Sequence, residues 1–133
     1  MRVGADAHAA LFRRFRPARR SAGLPVLLLT VAGRRSGRPI TTPVAYVEHA
    51  GGLAVVGTFI DGREPQWFRN LRAAGTATLE LGDETRTVDA RFADESETAA
   101  VWARFVAGAT IRVSARQQAA RRSVAVLTAQ PAG

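Results

Sequence analysis

The sequence predicts an α+β fold, a small and mostly antiparallel barrel of six strands with flanking helices. Three observations lead to this prediction. Six strand-like segments lie between residues 26 and 129, turn residues separate them, and the helix-like segments do not alternate with them regularly. A doubly wound parallel sheet would require regular alternation of strand and helix, so the antiparallel barrel fits the pattern better.

The length of the chain is that of one domain. Its 133 residues, 47% of them hydrophobic, are enough for a single core, and we predict one domain over residues 1–133. Within it we expect an N-terminal amphipathic helix or arm at 1–22, barrel strands at 24–92 and 122–128, and helices at 94–121.

Four segments make up the first half of the predicted fold. Residues 5–20 place apolar side chains near one side of a helix and arginines on the other, a pattern that Pro17 weakens. Residues 26–32 form a continuous apolar run, typical of a strand buried on both faces. Residues 41–48 and 53–58 follow across glycine-containing turns, so we predict a meander of three antiparallel strands.

The next segment predicts one short helix and then a hairpin. Pro65 suits the first turn of a helix, and Gly75 suits its end. The apolar side of this helix consists of Trp67, Phe68 and Leu71. Residues 76–81 and 85–92 have the pattern of strands, and the intervening "GDE" predicts a hairpin turn.

The last third predicts helices and a closing strand. Residues 93–109 open with acidic side chains and stop near Gly108, as a helix would. Its inward-facing side chains are predicted to be Ala100, Val101, Phe105 and Val106. Residues 112–122 favour further helix, and residues 123–129 favour a final strand.

The charge of the chain is strongly positive. Nineteen basic residues stand against eleven acidic ones, for a formal net charge of +8. All nineteen are arginine, which indicates the coding bias of a GC-rich genome with an actinobacterial type of composition. The excess favours anionic partners such as nucleic acid, acidic lipid or a phosphorylated ligand, and composition does not choose among them.

Several kinds of catalytic site are excluded. The chain has no cysteine, so thiolate nucleophiles, iron–sulfur clusters and cysteine-bound zinc are absent. His8 and His49 are its only histidines, and no cluster of carboxylates frames them in the sequence, so we expect no metal site. Neither a Walker loop nor a nucleophile elbow is present. An enzyme of this composition would take its reactive atoms from a cofactor.

The stretch "GRRSGRPITTP" at residues 33–43 places many hydrogen-bond donors between two strands. Gly33 and Gly37 permit positive φ and close backbone approach, so the peptide N–H groups between them could face one anion. Arginine forks match pairs of phosphate oxygens. The side-chain donors of this stretch are Arg34, Arg35, Ser36 and Arg38. A solvated polar turn is the alternative, and the local pattern leaves both open.

A family resemblance adds to this interpretation. Over residues 24–92 the chain resembles the deazaflavin-dependent nitroreductase family, small split β-barrel oxidoreductases that use coenzyme F420. The resemblance lies in "VLLLTVAGRRSGRPITTPVAYVEHAGGLAVVGTF" and "PQWFRNLRAAGTATLEL". Its motifs are a Gly-Arg-basic-Ser/Thr-Gly turn leading into Thr-x-Pro, and a Trp-x-x-Asn-Leu helix about two dozen residues later.

The resemblance implies where the coenzyme would lie. Arg34, Arg35 and Ser36 would hold its phosphate and acidic tail. The residues along its path toward the deazaflavin ring would be Thr41, Thr42, Pro43 and Val44. Around the ring, the implied contacts are Gly57, Thr58 and Phe59 from a strand end and Gln66, Trp67 and Asn70 from the helix.

Two departures from the family pattern bear on this reading. Ile40 stands where the family usually has a basic residue, which removes one tail contact and leaves it to Arg38 or Arg63. Family members that reduce nitroimidazoles carry tyrosines in the C-terminal helix region, and "TIRVSARQQAARRS" has none. Its polar side chains, Arg112, Ser114 and Arg116, either polarise an acceptor oxygen or belong to a solvated helix face.

The resemblance implies a reductase that transfers a hydride from reduced coenzyme F420 to a planar electrophilic acceptor, namely a quinone, an enone or a nitroaromatic. No catalytic acid or base is assigned. An FMN-binding split-barrel protein and a basic nucleic-acid-binding domain are the alternatives. The second is disfavoured because Tyr46 is the only aromatic residue between Phe15 and Phe59, too few for a stacking platform.

The expected partners follow from the same reading. We expect a small-molecule substrate, no specific nucleic acid and at most weak peripheral membrane contact, and a homodimer stays open beside a monomer. The run "LPVLLLTVA" has only nine residues and precedes further arginines, unlike a membrane span or an export signal. We therefore expect a cytoplasmic protein.

Overall fold

The computed structural model describes residues 19–131 except residues 22 and 111, and describes only the backbone at residues 19–21. The elements within this range, in chain order, are β1 (Arg19–Ser21), β2 (Leu24–Ala32), β3 (Pro39–His49), β4 (Gly52–Thr58), α1 (Gln66–Ala74), β5 (Thr76–Leu81), β6 (Glu84–Phe92), α2 (Glu95–Gly108), α3 (Ala115–Ala119) and β7 (Arg122–Ala129).

The strands β2 to β7 close into a barrel. Their order is β2, β3, β4, β7, β6 and β5, and β5 pairs back onto β2. Every neighbouring pair is antiparallel. The predicted six-stranded antiparallel barrel with flanking helices is therefore confirmed. The additional strand β1 pairs with the N-terminal part of β2.

The inside of the barrel is lined by alternate residues of each strand. In β2, Leu27, Leu29 and Val31 are buried, whereas Val26, Leu28 and Thr30 are only half-buried. The prediction that this strand is buried on both faces is wrong. An antiparallel sheet packs one face on its core and can leave the other partly open to water.

The helix α1 packs its apolar side into the barrel. It begins after Pro65 and ends at Gly75, whose φ of 74° is in the left-handed region, as the sequence predicted for a glycine stop. Phe68 is fully buried in the core. It approaches β4 so closely that a Cβ atom on Gly57 would lie 2.8 Å from Phe68 Cδ2. The position of α1 against the barrel thus depends on a glycine in β4.

The helix α2 covers part of the outer face of the barrel. Val101 and Phe105 are its buried side chains, and they pack with Ala54 of β4 and Val124 of β7. The prediction that Ala100 and Val106 also face inward is not confirmed, because Ala100 is exposed and Val106 half-buried. Residues four apart lie on one helix face, and this helix buries only such a narrow stripe.

The ends of two predicted helices differ from the structure. Residues 1–18 of the predicted N-terminal helix lie outside the described residues, and Arg19–Ser21 forms a strand. β5 pairs only with residues 28–30 of β2, so the earlier residues of that edge are free to pair with β1. At the other end, the helix predicted over residues 112–122 is confined to Ala115–Ala119, and Arg122 already belongs to β7.

None of the helices within the described part of the chain has the length and apolar character needed to cross a bilayer. The same residues contain no group of three or more His, Cys, Asp or Glu side chains placed to hold a metal ion.

Candidate functional site

The turn between β2 and β3, residues 33–38, is named here the arginine turn. The N–H of Gly33 donates to the carbonyl of Arg38 at 2.8 Å, and the N–H of Gly37 donates to the carbonyl of Gly33 at 2.8 Å. The N–H of Arg38 donates to Ser36 Oγ at 3.1 Å. These three hydrogen bonds close the turn. Of the N–H groups between Gly33 and Gly37 that were expected to face an anion, that of Arg34 donates to Asn70 Oδ1, so the expected cradle is reduced by one donor.

Two amide side chains of α1 hold Arg34 in place. Asn70 Oδ1 accepts the backbone N–H of Arg34 at 3.1 Å and its Nη1 at 2.7 Å, and Gln66 Oε1 accepts the same Nη1 at 2.7 Å. Gln66 and Asn70 lie one helical turn apart, so they present their oxygens on one side. Asn70 is 5% exposed and is the one buried polar side chain of the described residues. The partner predicted for it exists, and it is Arg34.

No ion pair within the described residues neutralises the charge around Arg34. Partial burial, and then the positive charges of Arg69 and Arg35, lower the pKa of Arg34. The first turn of α1 contains no acidic residue and no side-chain cap, so the positive end of the helix dipole adds to the positive charge of this region. Within the described residues, no ion pair joins Arg34, Arg35 or Arg69 to a carboxylate.

Arg69 is a residue of this site that the sequence did not single out. It precedes Asn70 in α1, and its Nε atom is buried without a hydrogen-bond partner in the described part of the chain. A signal was available, since Arg69 follows Gln66 by three residues and so shares the helix side of both amides. Trp67, the third helix residue implied at the ring, is partly buried against the core and meets Phe68 edge-on at 5.4 Å between ring centroids.

The four residues implied along β3 do not share one face. Thr42 and Val44 pair with the inward-facing Leu29 and Leu27 and therefore belong to the inner face. Thr41 and Pro43 alternate with them on the outer face. Thr41 and Pro43 are exposed and Val44 is buried in the core, so one path along β3 does not contact all four side chains.

The outer face of β3 carries one polar contact with β2. The hydroxyl of Thr41 shares a hydrogen bond of 2.7 Å with the hydroxyl of Thr30. The two residues are direct partners in the β2–β3 register, so the contact runs straight across the strands. The hydroxyl of Thr41 therefore links β3 to β2.

The C-terminal end of β4 borders a cavity. The N–H of Phe59 donates to the carbonyl of Arg121 at 2.8 Å, and the guanidinium of Arg121 lies over the Phe59 ring, 4.9 Å from its centroid. The cavity has a volume of about 350 Å³ and is lined by Thr58, Phe59, Ile60, Asp61, Arg116, Gln117 and Ala120. We name it the β4–α3 cavity.

One of the three polar residues considered in the C-terminal region lines this cavity, and the other two do not. Arg116 lines it beside Thr58 and Phe59. Ser114 caps α3 instead, because its Oγ accepts the N–H of Gln117 at 3.1 Å. Arg112 is exposed and does not line the cavity. Arg116 is thus the residue of that group placed next to the implied ring contacts.

His49 has a partner that its sequence neighbours did not reveal. Its Nε2 atom lies 2.9 Å from Oε2 of Glu97, and both Nη atoms of Arg91 donate to the same carboxylate at 2.7 and 2.8 Å. His49 ends β3 at the β3–β4 turn, whereas the arginine turn precedes the start of β3. This cluster therefore ties α2 to the barrel away from the arginine turn.

Comparison with known proteins bears on this arrangement. Residues 6–131 match the family described as F420H(2)-dependent quinone reductase. The chain belongs to this family. A Mycobacterium tuberculosis (strain H37Rv) protein that carries the name of an F420H(2)-dependent quinone reductase, Rv3178, is 33% identical over 84 residues, 62% of this chain and 71% of that protein.

Two solved structures are similar to this chain in fold and in sequence. A structure titled F420-H2 dependent reductase (FDR-A) has 26% identity and a TM-score of 0.64, covering 77% of this chain and 93% of that one. A second, described as a domain-swapped dimer, also has 26% identity and a TM-score of 0.64, covering 77% and 79%. The predicted oxidoreductase fold and its coenzyme, F420 rather than FMN, are confirmed at the level of the family.

The residues present fit the phosphate and acidic tail of such a coenzyme, which together are named here its anionic handle. Arg34 is held by neutral amides, no carboxylate neutralises the arginine turn within the described residues, and a buried guanidinium Nε has no acceptor. A bound anion would satisfy that donor and offset the repulsion among the arginines. Phosphate and carboxylate oxygens are the groups that provide such acceptors.

Proposed function

We propose that this member of the F420H(2)-dependent quinone reductases transfers a hydride from reduced coenzyme F420 to a quinone. The observation that carries the proposal is the family match over residues 6–131. The β4–α3 cavity supports it, because an aromatic ring and a guanidinium border one space there. A planar acceptor with a carbonyl oxygen is the kind of molecule that such a wall and such a donor recognise.

The arginine turn would hold the handle of the coenzyme. Arg34, fixed by Gln66 and Asn70, would offer a guanidinium in a set orientation. Arg35 and Arg38 are exposed on the same turn and would add charge-assisted hydrogen bonds, while Ser36 would add a hydroxyl. When bound, reduced coenzyme F420 supplies a hydride from carbon 5 of its deazaflavin ring.

The end of β4 would orient the ring and the acceptor. The implied contacts Gly57, Thr58 and Phe59 lead directly into the β4–α3 cavity, which Thr58 and Phe59 also line. Backbone groups at this strand end would direct the ring, and Phe59 would provide an apolar wall. Side chains around the cavity would keep water from the transfer.

Arg116 would stabilise the negative charge that develops on the acceptor oxygen. A guanidinium donates hydrogen bonds to such an oxygen and remains protonated at neutral pH. Arg116 is therefore a charge-stabilising group and not a proton donor, so the proton on the product would come from solvent. Members of the resembled family that reduce nitroimidazoles carry tyrosine hydroxyls in this region. In this chain Arg116 would take their place.

The test is oxidation of reduced F420 by three acceptors: a naphthoquinone, a cyclic enone and a nitroaromatic. We expect the naphthoquinone to have the highest kcat/KM. Arg116→Gln should lower kcat/KM for it at least about 10-fold, less than the about 100-fold that an oxyanion donor is worth in a water-excluded site, because Arg116 is exposed. Its Kd for F420 should not change. The matched control is Arg104→Gln, at an exposed position of α2.

Each result bears on a different part of the proposal. A higher kcat/KM for the enone or the nitroaromatic would contradict the quinone assignment. Equal kinetics for Arg116→Gln and Arg104→Gln would contradict the role of Arg116. Absence of F420 oxidation with all three acceptors would contradict the reductase activity itself.

A homodimer is a second part of the proposal. It is supported by the solved relative described as a domain-swapped dimer. Light scattering on the eluted protein should give twice the 14.2 kDa mass of one chain. A monomer mass at micromolar concentration would contradict it.

A further inference from the structure

Three guanidinium groups converge on the contact between the arginine turn and α1. Arg34 reaches Gln66 and Asn70, and Arg69 lies between those two residues in the helix sequence. The charge of Arg69 lowers the pKa of Arg34 more than the charge of its chain neighbour Arg35 does. Arg69 therefore adds a like charge to a guanidinium that is already fixed in place.

The carboxylate of Glu64 offsets this charge only in part. Glu64 precedes α1, and its oxygens accept Arg72 Nε at 3.3 Å, Arg72 Nη2 at 2.9 Å and Ser123 Oγ at 2.6 Å. Burial raises its pKa, but the hydrogen bonds from Arg72 and Ser123, together with the positive charges of Arg72 and Arg69, outweigh burial, and the pKa of Glu64 is lowered. Glu64 is thus hydrogen-bonded to Arg72 and attracts Arg69 by charge alone, without accepting a hydrogen bond from it.

The side chain of Arg69 has a donor without an acceptor. Its Nε atom is buried and has no hydrogen-bond partner among the residues that the structure describes. Buried donors without partners are rare in folded proteins, and each one calls for an explanation such as a missing ligand. A guanidinium offers Nε and one Nη side by side, a spacing that matches two oxygens of one phosphate group.

From these observations we infer that Arg69 is a binding residue for the phosphate of the coenzyme handle, which it grips together with Arg34. The inference rests on the proposed function, since that function brings the phosphate to this turn. It adds a residue from α1 to a phosphate site that the resemblance placed on Arg34, Arg35 and Ser36 of the arginine turn. Gln66 and Asn70 become positioning residues that hold Arg34 beside Arg69.

The experiment measures binding and not turnover. Oxidised coenzyme F420, and separately the oxidised deazaflavin fragment without phosphate and acidic tail, are titrated into the protein, and their fluorescence is followed. Arg69→Met keeps the aliphatic stem and removes the donor. It should raise the Kd for F420 at least 10-fold and leave the Kd for the fragment within 2-fold, since one charge-assisted contact carries about that much. Arg104→Met, on an exposed part of α2, is the matched control and should change neither Kd.

Two further measurements separate binding from folding and from net charge. Arg69→Met should melt near the wild-type temperature, because it removes an unsatisfied buried donor and the repulsion with Arg34 together with the attraction to Glu64. Arg69→Lys keeps the charge and loses the fork, so its Kd for F420 should also rise. It answers the same question should Arg69→Met not fold.

The contradicting outcomes are distinct. If the Arg69 variants bind F420 as tightly as Arg104→Met while the wild type still reduces a quinone, the inference is overturned and the proposed function stands. If the Arg69 variants weaken the fragment as much as F420, the contact is not to the phosphate and the inference fails. If the wild type does not bind F420 at all, both fail together.

Discussion

The side-chain oxygen of Asn70 accepts two hydrogen bonds from Arg34, one from its backbone N–H at 3.1 Å and one from its Nη1 at 2.7 Å. One amide thus joins α1 to the arginine turn at both the main chain and the side chain. Because Asn70 is buried, it can fix the orientation of a cation without contacting the ligand that this cation would bind. The predictions below begin from this pair.

Replacement of Asn70 by alanine should cost both stability and coenzyme affinity. Asn70→Ala leaves the N–H of Arg34 without its acceptor, so the free energy of unfolding should fall by about 1–3 kcal/mol. Arg34 also loses its fixed orientation, so the Kd for F420 should rise. Urea unfolding and fluorescence titration measure the two effects. Unchanged values in both would contradict the role assigned to Asn70.

Replacement of Asn70 by aspartate separates the two effects. Asn70→Asp keeps the accepting oxygen and adds a negative charge beside Arg34, so stability should be retained or increased. The same carboxylate neutralises the guanidinium that would bind an anion, and the Kd for F420 should rise although the fold is intact. Wild-type affinity in this variant would show that a neutral partner for Arg34 is not required.

Gly57 should not tolerate even one methyl group. A Cβ atom there would lie 2.8 Å from Cδ2 of Phe68 and 3.2 Å from its Cβ. Gly57→Ala should lower the free energy of unfolding by about 1–3 kcal/mol, as overpacked cores do. In a double-mutant cycle with Phe68→Leu, the two losses should be smaller together than their sum. Additive losses would mean that the methyl group does not meet Phe68.

The Glu97 cluster should give a stability that depends on acid. Hydrogen bonds from Arg91 and His49 lower the pKa of Glu97 to about 2 from an ordinary value of 4.5. A carboxyl whose pKa is lower in the folded state stabilises the protein above the unfolded value, and this contribution is lost as the pH falls toward 2. The free energy of unfolding of the wild type should exceed that of Glu97→Gln by about 1–2 kcal/mol at pH 7 and by almost nothing at pH 2.

Urea unfolding at several pH values measures this difference. Glu80→Gln, at an exposed position of β5, is the control and should show little dependence on pH. A wild-type advantage over Glu97→Gln that stays constant from pH 7 to pH 2 would contradict the assignment.

Much of the fold could be predicted from the sequence, because helix ends and hairpin turns depend on residues that are close together in the chain. Gly75 ends α1 since a glycine adopts positive φ at no steric cost, and the hairpin between β5 and β6 follows from its turn residues. The strand β1 could not be predicted in this way. It depends on how far β5 extends along β2, which is a property of the whole sheet.

The candidate site was predictable in residue type more than in pairing. A lone asparagine on an apolar helix indicated a missing partner, but Arg34 is 36 residues away in the chain. His49 and Glu97 are likewise separated by 48 residues. Only the closed barrel brings such residues together, so hydrogen bonds that consume a donor, as in the arginine turn, are invisible before folding.

The most direct test of the central claim, that the arginine turn holds an anionic coenzyme handle, is the Kd for F420 measured by fluorescence titration. The comparison is wild type, Arg35→Ala and Arg104→Ala, because both arginines are exposed and the side chain of neither has a hydrogen-bond partner within the described residues. The wild type should bind saturably, Arg35→Ala about 10-fold more weakly, and Arg104→Ala like the wild type. Equal affinity of all three proteins for F420 would contradict the claim.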